Sequence, residues 1–160
     1  MTKYSFDPRD LFRTGLGTKI GNVDGIDEYC IQISYKGDTI NVPIFLSEEV
    51  KSENLPTMPY MELFTVMTTY EPQDISASTR KMESHIDGHI YFTDIDNIDR
   101  TTFAKLIKDE LHDLVRANQS TTTGIFFMNI DNDRLVTETN ARQVVYHYLF
   151  SLYILFYDLC

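Results

Sequence analysis

HIDGHIYFTDIDNIDRTTFAKLIKDELHDLVRAN, residues 85–118, holds the change of period that decides the fold. Through residues 85–93 the apolar side chains alternate. Ile86, Ile90 and Phe92 share one face, and His85, Asp87, His89, Tyr91 and Thr93 share the other, the period-2 pattern of a strand wet on one side. After the acidic run 94–99 the spacing switches. Phe103, Leu106, Ile107, Leu111, Leu114 and Val115 recur at i, i+3 and i+4, while Lys105, Lys108, Asp109, His112, Asp113 and Arg116 face away. Asp99 suits an N-cap and Asn118 a helix end. The spacing predicts a helix over about 100–117 lying on a sheet.

Outward from this stretch the chain reads mostly as strands. Residues 28–36 and 39–46 alternate around Gly37-Asp38, a hairpin signal. Further strands are predicted at 59–70, 124–130, 134–138 and 143–157, with 131–133 a turn. Segments 47–58 and 71–81 are polar and without period, so they read as mobile loops. Residues 1–27, with Asp7-Pro8 and glycines at 15, 17, 21 and 25, read as an irregular arm in which a short helix could begin at Pro8. The expected fold is α+β: a mostly antiparallel sheet with one main helix packed on one face. The expected organisation is one domain over 1–160, with the arm at 1–27 and the body at 28–158.

Composition narrows the partners. The 160 residues are 42% hydrophobic, enough for a substantial core, and carry a formal net charge of −10. A chain this acidic does not bind DNA or an anionic membrane by neutralising phosphates. Cys30 and Cys160 are the only cysteines, too few for a disulfide framework, and point to a reducing compartment. No basic start leads into an apolar run, so no signal peptide is expected. The apolar run 144–157 is too short to span a bilayer as a helix, and its Val, Ile, Tyr and Phe content favours a strand. Such a strand is apolar on both faces. Its first face, with Tyr146, Tyr148, Phe150, Leu152, Ile154 and Phe156, is the candidate subunit interface.

The motifs that invite chemistry fail on spacing. The glycines at 15, 17 and 21 follow no strand, and Ile20 stands where the third glycine of a dinucleotide loop belongs. His85 and His89 have helical zinc spacing, but on a strand they lie ~13 Å apart along the chain. Counted as a calcium loop from Asp94, the sixth position is Asp99 rather than glycine, and the twelfth is Lys105 rather than glutamate. No nucleophile signature occurs. The expectation is therefore a protein without catalysis, metal or cofactor.

Taken in order, Leu55-Pro-Thr-Met-Pro-Tyr60, Glu71-Pro-Gln-Asp-Ile75, His85-Ile-Asp-Gly-His-Ile-Tyr91, the helix, and Gln143-Val-Val-Tyr-His-Tyr148 carry a resemblance. Over residues 55–158 the chain resembles the small tail-terminator and tail-completion (neck, head–tail joining) proteins of long-tailed viruses and prophages. The resemblance implies a structural virion protein, assembled in the host cytoplasm. It implies a self-associating ring, commonly a hexamer, that caps the tail-tube protein and joins it to the head-side connector. DNA would pass through without specific binding, and no membrane is involved. On that reading Glu48, Glu49, Lys51, Glu53, Arg80 and Lys81 are ring-docking candidates, and Asp94, Asp96, Asp99, Asp109 and Asp113 are candidates to face the channel. The alternative is a small ligand-binding or regulatory α+β domain without catalysis.

Overall fold

The computed structural model describes residues 8–23, 25–72, 79–93, 99–118, 125–139 and 144–159. In chain order the elements are α1 (Pro8–Leu16), β1 (Thr18–Val23), β2 (Ile26–Tyr35), β3 (Asp38–Leu46), a 3-10 turn (Ser47–Glu49), β4 (Tyr60–Pro72), β5 (Thr79–Phe92), α2 (Arg100–Asn118), β6 (Ile125–Thr139) and β7 (Val144–Leu159). The strands form one sheet in the order β1-β2-β3-β4-β5-β7-β6. All neighbours are antiparallel except β3 and β4, which pair in parallel from Ile44–Met61 to Leu46–Leu63. The parallel step needs a crossover, and residues 47–59 supply it. The architecture is α+β, with both helices on one face of a mostly antiparallel sheet.

The residues that alternate are the ones that build the core. Ile86, Ile90 and Phe92 of β5 are buried against Phe103, Ile107, Leu111 and Val115 of α2, with Phe12 and Leu16 of α1 beside them. Asp99 starts α2 by accepting the Thr102 N–H at 2.8 Å and the Thr102 hydroxyl at 3.1 Å, which satisfies a helix-end donor. The first turn docks through aromatics. Phe92 meets Phe103 edge to face at 4.8 Å and Tyr146 at 5.4 Å, and Arg100 lies over the Tyr146 ring. Between β5 and β7 the pair Gly88–Phe150 stands out. A Cβ at Gly88 would clash with three carbons of the Phe150 ring, so the ring packs over bare backbone.

Several local expectations are corrected. Within the arm, residues 8–23 are regular: the short helix expected to begin at Pro8 is α1, which presents Phe12 and Leu16 to the core, and β1, not expected, pairs with β2. Residues 1–7 lie outside the described residues. The tight turn is Lys36-Gly37, one residue earlier than expected, and both have positive φ (48° and 86°), as a right-twisted two-residue hairpin requires. Of the predicted loop 71–81, Glu71 and Pro72 extend β4 and Thr79–Lys81 begin β5, with Arg80 and Lys81 paired to both neighbours and Thr79 to β7. Residues 73–78 lie outside the described residues. The turn expected at 131–133 is a register shift within a single strand, β6.

The largest correction concerns β7. Tyr146, Tyr148, Phe150, Leu152 and Ile154 do not await another subunit. They are the buried face of β7, in the chain's own core beneath α2. The side chain of Phe156 lies outside the described residues. Truncating Leu111, fully buried at the centre of this layer, to alanine should cost about 2–5 kcal/mol in urea unfolding. Leu106→Ala, at a half-covered position beside the core, should cost clearly less.

Candidate functional site: the open face of the sheet

The face opposite the helices carries the polar residues of β5 and the second face of β7. Register sets Tyr60 opposite Tyr91, Glu62 opposite His89, and Phe64 opposite Asp87 between β4 and β5. It sets His89 opposite Leu149, Asp87 opposite Ser151, and Tyr91 opposite His147 between β5 and β7. Cross-strand neighbours of this kind are close enough to interact, and they do. His147 Nε2 and His89 Nδ1 share a hydrogen bond at 2.7 Å, so one imidazole donates and the other accepts. Tyr91 stacks on His147 with centroids 4.3 Å apart, and Phe64 lies 4.9 Å from His89. Ser151 donates to Asp87 at 3.1 Å. Burial pushes the Glu62 carboxyl above its ordinary value. Burial and then the charge of Glu62 do the same to the Tyr60 phenol.

Chemically these groups answer one another. The serine hydroxyl is directed at a carboxylate and the two histidines at each other, which differs from a nucleophile–imidazole–carboxylate relay. Among the described residues no three His, Cys, Asp or Glu side chains gather as a metal site. Beside the pairs lies a cleft of about 470 Å³, lined by Asp87, His89, Asp133, Arg134, Leu149, Phe150 and Ser151. It opens where β6 shifts register.

That shift also ties the edge of the sheet to α2. Asp133 accepts from the Tyr148 hydroxyl at 2.8 Å and pairs with Lys108 at 3.2 Å. Burial raises the Asp133 carboxyl, but these two hydrogen bonds outweigh it and leave the group below its ordinary value. Burial, and then the bond to Asp133, drive the Tyr148 phenol far upward.

The other candidates are scattered. Glu48 and Glu49 are not loose docking residues but ties to α1. Arg9 grips Glu48 with a two-pronged contact at 2.6 and 2.7 Å, and Arg13 meets Glu49 at 2.7 Å. Lys51 and Glu53 are exposed in the turn that follows. Arg80 and Lys81 sit within β5 rather than in a loop. Asp99 is the helix cap, and the N–H of Thr102 holds its carboxyl below the usual range. Asp109 and Asp113 are exposed on α2, on the helical side and away from the open face. Asp94 and Asp96 lie outside the described residues. Sequence reasoning passed over Glu62, Asp133, Arg134, His147 and Ser151. The one signal was that His147 and Ser151 interrupt an apolar run on the same strand face.

A scan against protein-family models finds no family that matches this chain, and a search of curated proteins finds no matching relative.

Two outcomes test the geometry. Tyr148→Phe should cost about 1–2 kcal/mol in unfolding. Asp133→Ala should cost more, because it leaves a buried hydroxyl without its acceptor and Lys108 without its counter-charge. The second concerns pH. The hydrogen bond from Arg9 lowers the Glu48 carboxyl from 4.5 to about 2. Its stabilisation is therefore present above the unfolded value and is lost as pH falls from about 4.5 towards 2. Glu48 is largely exposed, so the contribution at neutral pH should stay below about 1 kcal/mol. Urea midpoints measured from pH 7 to 2 should fall less steeply for Glu48→Gln than for the parent.

Proposed function

We propose that this chain is a structural subunit of the neck or tail end of a tailed virus, forming a ring that caps the tail tube and meets the head-side connector around the DNA channel. The observation that carries the reading is the one-sided layering. Both helices pack on one face of a seven-stranded sheet. The other face presents half-covered Phe64, Tyr91, Leu149, Tyr153 and Leu155 around the histidine pair. A sheet built this way has a second face to offer a neighbour, as a ring subunit needs. The element order adds support, since a proline-marked β4 leads through β5 and α2 to a hydrophobic β7.

Charge fits the same role. At −10 overall, with Asp109 and Asp113 exposed along α2, the subunit repels phosphates within about 10 Å at 0.1 M salt. DNA would pass without sticking. A ligand-binding domain would need an enclosed apolar pocket with a few polar groups, whereas the cleft beside β6 is open and lined by Asp87, His89, Arg134 and Ser151.

Native mass spectrometry and light scattering should detect a closed oligomer, formed by the protein alone or on mixing with tubes of the tail-tube protein from the same virus. A strict monomer that neither assembles nor binds tubes would contradict the reading.

A further inference from the structure

We propose that copies of this chain join edge to edge, with β1 of one copy adding antiparallel to β6 of the next. β1 and β6 are the two outer strands of the sheet. Following the pairings across it, β1 and β6 run in opposite directions, because the sheet contains a single parallel step. A second sheet laid in line with the first therefore meets it with antiparallel polarity. Unpaired edges are ready templates for such addition.

The side chains on the two edges match. Among the described residues three large hydrophobic side chains are exposed, and two of them are Ile20 on β1 at 40% and Leu135 on β6 at 36%. Setting Ile20, the bulge residue of β1, against Leu135 places Gly21 opposite Arg134. Arg134 pairs with Leu149 and Gly21 with Glu28, so both Arg134 and Gly21 belong to the open face. Gly21 has no side chain to intervene, and a Cβ there would meet only the Glu28 carboxylate, at 3.9 Å. Arg134 of one copy would thus reach across Gly21 to Glu28 of the next. Both are exposed, and among the described residues neither makes an ion pair. An attraction at this seam matters in a chain whose overall charge of −10 opposes self-association.

The contact uses different surfaces on its two sides, so it propagates head to tail and closes if the rotation per subunit allows. Closure into a neck ring rests on the function proposed above. The edge contact itself does not.

Two experiments on the full chain test it. The first places Ile20→Cys and Leu135→Cys together in a Cys160→Ser background and oxidises concentrated protein with copper phenanthroline. The two edges lie roughly 29 Å apart within one sheet, six strand spacings, so a bond between these positions must link copies. The double variant should give a ladder of dimers and larger species on non-reducing gels, and the single variants should not. No ladder, with both thiols reactive to maleimide, would overturn the proposal. The second experiment is charge reversal. Arg134→Glu should raise the concentration for half-assembly roughly tenfold or more, and adding Glu28→Arg should restore it, with unchanged circular dichroism throughout. Rings that ignore both changes and do not cross-link would keep the ring function and refute this edge. Cross-linked ladders that never bind tail tubes would keep the edge and refute the neck role.

Discussion

β7 is apolar on both faces, and the pairing of β5 with β7 determines how each face is used. Leu152 and Ile154 are fully buried beneath α2, with Phe150 pressed onto the bare backbone of Gly88. On the other face the same strand offers His147, Leu149, Ser151 and Tyr153, which β5 meets with Tyr91, His89, Asp87 and His85. A strand of this kind cannot serve as an exposed edge. The fold places β6 outside it, although β6 precedes it in sequence. α2 then carries the chain from β5 to β6, leaving the slot between them for β7. The helix covers one face of the strands it connects, and the core follows from that arrangement.

Much of this was legible in the residues. The i, i+3, i+4 spacing from Phe103 to Val115 placed α2 almost to the residue, and the alternation of Ile86, Ile90 and Phe92 placed the second half of β5, which starts six residues earlier at Thr79, because a half-buried strand and an amphipathic helix leave opposite periods. The hairpin of β2 and β3 was visible for the same reason. The arm was not. α1 is only nine residues long, and it is held by Arg9 and Arg13 reaching Glu48 and Glu49 some forty residues on. No local pattern reveals a long-range ion pair. The register shift in β6 was equally hidden, since Asp131-Asn132-Asp133 has the composition of a turn. Here Asp133 is used to satisfy a buried tyrosine and a helix lysine.

The candidate site was less legible than the fold. Its members come from β4, β5, β6 and β7, and only the strand order brings His89 to His147 or Asp87 to Ser151. The apolar face of the last strand was recognised and assigned to a neighbouring subunit, but the chain uses that face itself. In the proposed assembly a neighbour would be left with the opposite face, which mixes Phe64, Leu149, Tyr153 and Leu155 with a hydrogen-bonded polar group, and with the two sheet edges. An interface of that mixed character, rather than an exposed greasy strand, lets a subunit stay dispersed until it docks.

The most direct test of the proposed neck role is electron microscopy of tail tubes, grown from the tube protein encoded beside this chain, with and without the chain. The account predicts a ring with an open centre at one end of each tube, and tubes that no longer lengthen at that end. Bare tube ends and unchanged growth at saturating protein would contradict it.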